Sequence, residues 1–106
     1  MRKIEQQMNN AITNGAKSWK SGNTKVVTTT EGYSHVYLHN NHIATVSDHS
    51  IVLYDGGWQS NTTKSRLNAI LTEHGAPSDR VFQKDFQWYV QTYNGVESFQ
   101  NGVTLT

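Results

Sequence analysis

The stretch Asp55 to Gly75, DGGWQSNTTKSRLNAILTEHG, limits the possible folds more than any other part of the chain. Gly56-Gly57 turns the backbone, because glycine enters positive φ without a Cβ clash. Ser60-Asn61-Thr62-Thr63 then offers side chains that accept from the free amides of a helix start, with Asn61 or Thr62 the expected cap. Leu67, Ile70, Leu71 and His74 recur at helical spacing. Gly75 is the expected C-cap glycine, and Pro77 blocks continuation. A helix with one apolar stripe must lie on something, and the flanking sequence reads as sheet.

The chain opens with another amphipathic helix. Ile4, Met8, Ala11, Ile12, Ala16 and Trp19 fall three or four residues apart, and Gly15 is expected to end the helix near Asn14. Ser18 to Thr24 reads as a loop. From Lys25 the β-branched Val26, Val27 and Thr28 to Thr30 favour a strand. Tyr33 to Leu38 is the next, and Asn40-Asn41 reads as a two-residue hairpin turn. That turn sets Leu38 opposite Ile43 and Val36 opposite Thr45 on one face, with Tyr37/Ala44 and His35/Val46 on the other. Ser50 to Tyr54 completes a meander.

After the second helix, Arg80 to Lys84 is a weak strand. Phe86, Trp88 and Val90 then alternate with polar residues. Asn94-Gly95 is a hairpin signal that places Val90 opposite Phe99, and the last strand runs from Val96 to Phe99 or on to Leu105. The order α-β-β-β-β-α-(β)-β-β predicts an α+β fold. Its antiparallel sheet, a meander plus a C-terminal hairpin, has two helices packed on one face, and residues 1–106 form a single domain.

Composition narrows the function. Without cysteine there is no disulfide, thiolate zinc site or cysteine nucleophile, which suits a reducing cytoplasm. No membrane span is expected, and MRKIEQQMNN lacks the apolar core of a secretory leader. The net charge of +1 hides an asymmetry. Residues 1–30 carry Arg2, Lys3, Lys17, Lys20 and Lys25 against Glu5 alone, so attraction for an acidic partner concentrates there.

His35, His39, His42 and His49 crowd one region, and His39 and His42 flank the expected turn, where they could share an ion. A zinc site wants a tetrahedral set, and the other histidines lie too far along extended strands to complete one, so no metal or other cofactor is expected. No GxSxG elbow, HExxH pair or carboxylate pair appears, and the chain reads as a non-enzyme. Two kinds of binding partner remain. Tyrosines on strands with lysines nearby suit a single-stranded nucleic acid. An uncharged face rich in Tyr, His and Asn suits a protein, or a second copy in a homodimer. Lys17, Lys20, Lys64 and Arg66 are the candidates for acidic partners, Tyr33, Tyr37 and Tyr89 for a stacking or protein surface, and Trp58 for an anchor beside the helix start.

Three segments, SGNT (Ser21 to Thr24), VYLHNNHIA (Val36 to Ala44) and GWQSNTTKSRLNAIL (Gly57 to Leu71), resemble a family of small tailed-bacteriophage proteins. The resemblance spans about two-thirds of the chain, Ser21 to about Leu71, and carries over no catalytic residue. It implies an accessory protein of the infected bacterial cytoplasm that binds a host macromolecule, first of all a protein, and inhibits or redirects it.

Overall fold

The computed structural model describes residues 1–106. Helix α1 spans Lys3–Thr13 and stops at Asn14, beside Gly15 at φ 63°. Strand β1 (Trp19–Ser21) returns through Gly22-Asn23 to β2 (Thr24–Thr28), so the segment expected to be a loop is a tight hairpin with Gly22 at φ 54°. Strands β3 (Ser34–Leu38), β4 (Asn41–Val46) and β5 (Ile51–Leu53) continue the meander. Helix α2 covers Asn61–His74. Strands β6 (Arg80–Lys84), β7 (Gln87–Thr92) and β8 (Gly95–Ser98) follow, and β9 (Val103–Leu105) returns to pair with β5.

The fold is α+β with antiparallel pairing throughout, as expected, but the strands divide into two sheets. One holds six strands in the order β1-β2-β3-β4-β5-β9, and the other is β6-β7-β8. Both helices lie on the inner face of the large sheet, where Val26, Val36, Leu38, Ile43, Ala44, Val46, Ile51 and Leu53 are buried. Val81, Trp88, Val90 and Phe99 of the small sheet join the same cluster of 20 buried residues. Between the two sheets, α2 touches α1, β4 and β6 and buries residues around most of its circumference.

Several local expectations are corrected, among them the β7–β8 turn, which is Tyr93-Asn94 and not Asn94-Gly95. The β3–β4 turn is His39-Asn40, not Asn40-Asn41; both residues sit at positive φ, 51° and 65°, the conformation of a type I′ hairpin turn. A register shift at Val36/Tyr37 then leaves Ile43 and Ala44 both inward, so Val36 faces Ala44 and Tyr37 faces His42. The α2 cap is Ser60, whose hydroxyl accepts from Thr63 N at 3.1 Å. Gly75 does end α2, but in extended conformation: a Cβ there would stand 2.8 Å from Leu71 O, so close approach rather than handedness requires glycine. Phe86 is not in a strand; with Asp85 it forms the β6–β7 turn and is 96% exposed.

One buried ion pair ties the first half of the chain to α2. Glu5 and Arg66 are each 3% exposed, and Arg66 Nη1 donates to Glu5 Oε2 at 2.9 Å. Arg66 Nε donates to Thr24 Oγ1 at 3.0 Å, Nη2 to Asn23 Oδ1 at 3.3 Å, and Ser65 Oγ to Glu5 Oε2 at 2.6 Å. The small sheet has its own fastening. The Asn68 amide donates to Val81 O and accepts from Val81 N, both at 2.8 Å, which closes the outer edge of β6.

Candidate binding surface

Strand alternation sends every second side chain of the large sheet away from the helices. Two cross-strand rows result. The first runs Lys20, Lys25, Tyr37, His42; the second runs Val27, His35, Thr45, Val52, Thr104. Six strands at a spacing of about 4.8 Å make this face roughly 24 Å wide, and neither helix covers it.

The side chains in these rows hold one another. The His42 ring lies 5.5 Å from Tyr37, 4.6 Å from Tyr54 and 5.5 Å from His35, centroid to centroid. Lys25 Nζ stands 4.8 Å above the Tyr37 ring, a cation–π contact. His42 Nε2 is 2.9 Å from Ala44 O and 2.8 Å from Thr45 Oγ1. A carbonyl only accepts, so His42 carries its proton on Nε2. The Thr45 hydroxyl is then free to donate to His35 Nδ1, at 2.8 Å. Burial lowers the His42 pKa; the bond to Ala44 opposes this and His35 adds to it. The rows contain no carboxylate.

Lys20 and Lys25 are direct cross-strand partners on this face. Like charges placed opposite one another destabilise a sheet, and the chain's one ion pair, Glu5–Arg66, is elsewhere.

The expected binding residues do not form one site. Lys20 and Tyr37 lie on the open face described here, and Lys17 is exposed in the loop before β1. Tyr33, 47% exposed, sits in the β2–β3 loop. Trp58, 75% exposed, lines a groove of about 240 Å³ with His39 of the β3–β4 turn and Asn41 of β4. Lys64 donates to Gln83 Oε1 at 3.3 Å. Tyr89 stacks on Phe82 on the outer face of the small sheet, centroids 5.6 Å apart. Arg66 is the correction: at 3% exposure its guanidinium is bound to Glu5, Thr24 and Asn23 inside the molecule, out of reach of a partner. His39 and His42 do not converge either, since His39 occupies the turn while His42 meets His35.

Sequence reasoning missed Lys25, His42, Thr45 and Tyr54 as members of one face. The signal available was the two-residue spacing of His35 and Tyr37, which puts both on one side of a strand; the partner of Tyr37 depends on where the turn falls, and that of His35 on the bulge in β4.

The sequence profile of the Kyanoviridae Gp96 protein matches residues 1–106. The chain belongs to this family. Its bacteriophage origin agrees with the likeness carried by Ser21 to Leu71. No curated protein and no solved structure matches the chain. No helix in this Gp96-family structure is long and apolar enough to cross a membrane.

Proposed function

We propose that this Gp96-family protein is a non-enzymatic binding protein that engages a protein of the infected bacterium through the open face of its large sheet, and so inhibits or redirects it. The reading rests on one observation: Lys20 and Lys25 oppose each other across two strands on a face with no carboxylate. An acidic patch on a partner would relieve that repulsion, while Tyr37, His42 and Tyr54 supply buried area with little charge penalty. The cytoplasm of the infected cell is the setting this reading assigns.

A second reading has its own support. The packed rings of Tyr37, His42 and Tyr54 beside Lys25 also suit stacking of single-stranded bases. One experiment separates the two. The tagged chain and its Lys25→Glu and Tyr37→Ala variants are used to capture partners from host lysate, with and without nuclease. A protein retained after nuclease by the parent and lost from both variants supports the protein reading. Capture of nucleic acid with affinity falling steeply as salt rises supports the second. Capture unaffected by either substitution removes the open face from both.

A further inference from the structure

The large sheet ends at β9 and the small sheet at β8, and neither strand is paired on its outer side. A cavity of about 230 Å³ lies between them, bounded by Tyr93, Val96, Glu97, Val103 and Leu105, with Asp79 at one side. Unpaired strand edges are templates for another strand, and proteins usually blunt them. Asn68 does this for β6. Nothing does it for β8, whose four residues are all exposed.

Phe99 N donates to Trp88 O at 3.0 Å, continuing the β7–β8 ladder. Antiparallel alternation then turns the backbone groups of Gly95 and Glu97 toward β7 and those of Val96 and Ser98 outward. The cavity is therefore bordered by free backbone donors and acceptors, by the Val96 side chain at 56% exposure, and by the carboxylates of Asp79 and Glu97. No lysine or arginine lines it. Such a groove favours a cationic guest.

We propose that β8 is a strand-accepting edge that captures an extended, lysine- or arginine-bearing peptide segment of a partner protein in the groove between β8 and β9. The guest's backbone pairs with Val96 and Ser98, an apolar side chain packs on Val96, and a cationic one reaches Glu97. The exposed edge reads about four residues of guest, roughly 13 Å of strand. This groove is distinct from the Lys25–Tyr37 pair, whose strands lie four and three spacings, about 19 and about 14 Å, across the sheet from β9, and the proposal does not depend on the reading of that surface.

The test uses the full chain and two fluorescent octapeptides, one alternating lysine and valine, the other glutamate and valine. Fluorescence polarisation is expected to show binding of the lysine peptide and at least about tenfold weaker binding of the glutamate peptide. Val96→Pro removes an outward amide without removing a β7–β8 ladder bond, a place where edge strands accept proline. It and Glu97→Lys are each expected to weaken the lysine peptide about tenfold or more, whereas Val96→Ala, which keeps the amide, stays within about twofold. Should Val96→Pro fail to fold, Glu97→Lys and amide exchange in the parent chain decide, with the Val96 and Ser98 amides expected to gain protection on peptide addition. The proposal is overturned by failure of the lysine peptide to bind at millimolar concentration, by equal binding of both peptides, or by undiminished binding to Val96→Pro or Glu97→Lys. Unchanged exchange at those two amides also overturns it, as does a homodimer through β8 that Val96→Pro dissolves.

Discussion

Arg66 looks like a surface cation in sequence, closing a polar run at a helix start, yet it joins three parts of the fold at once. It meets α1 through Glu5 and the β1–β2 hairpin through Asn23 and Thr24. Asn23, Thr24, Ser65, Arg66 and Asn68 all fall within the segments that carry the phage likeness, so that likeness is largely a record of how the fold is tied together. Breaking a buried ion pair from one side leaves an uncompensated charge in a dry site, which costs about 3–5 kcal/mol. Arg66→Met should therefore lower unfolding free energy by about that much in urea titrations, and Glu5→Leu added to it should recover part of the loss. A single-variant loss below about 1 kcal/mol would show that the pair is solvated. Two histidines set a pH dependence. Burial is the largest cause lowering the pKa of both His42 and His74 below 6.5. The unfolded chain thus takes up protons near pH 6.5 that the folded chain refuses, so the unfolded state binds more protons and stability falls as the pH is lowered. This contribution is complete above pH 6.5 and is lost as pH drops toward the folded-state values. The melting temperature should fall between about pH 7.5 and about pH 5.5, and less so in a His42→Gln/His74→Gln variant. A rise on acidification would contradict the assignment.

At the scale of elements, the turns matter most. Asp85-Phe86 adopts φ 51° and 64°, the left-handed region that a type I′ turn requires and that a bulky side chain resists. The Phe86 ring is 96% exposed and recovers nothing from packing. Phe86→Gly should therefore stabilise the protein by about 0.5–1 kcal/mol, the relief of left-handed strain exceeding glycine's extra unfolded-state entropy. The check is a higher urea midpoint at unchanged slope, and a lower midpoint would mean that the ring makes a contact within the molecule. The same turns decide how far the fold can be read from sequence. The helices were legible, because apolar spacing, Gly15, Gly75 and Pro77 all agree. In the β7–β8 hairpin the true turn, Tyr93-Asn94, places Val90 opposite Glu97 rather than Phe99. A slip of two residues preserves the side-chain faces, so the buried row survived it. In the β3–β4 hairpin the turn moved by the same one residue, but the extra residue at the bulge then shifted the pairing once more, so Ala44 and Val46, expected on the face of Tyr37 and His35, went into the core. The open face was therefore only partly legible: His35 and Tyr37 follow from alternation and His42 from the hairpin turn, whereas Thr45 follows from a bulge that no local composition announces. Phe86 misled for the opposite reason, since a hydrophobic pattern carries no mark of a positive φ.

For the whole molecule, the question is whether two sheets make one cooperative unit. Joined edge to edge they would be, but β8 and β9 diverge around an open groove. What joins them is α2, which packs against α1 and β4 on one side and β6 on the other, together with the Asn68 clamp on Val81. Trp88, 2% exposed, meets Phe99 edge-on at 5.4 Å within the shared cluster, so the small sheet's largest side chain is buried in the common core. Detaching the small sheet would expose Trp88, Val81 and Val90 together with the α2 residues they cover. Burial of an apolar side chain is worth about 1.5–3 kcal/mol, so that opening would take a large part of the 5–15 kcal/mol that typically holds a domain together. Far-UV circular dichroism and tryptophan fluorescence should accordingly report coincident urea transitions, with a Trp19→Phe/Trp58→Phe variant used so that Trp88 is the one reporting indole. If Trp88 fluorescence changed at lower urea than the helical signal, the α2 bridge would be weaker than its packing indicates, and the small sheet would open while α1, α2 and the large sheet remain folded.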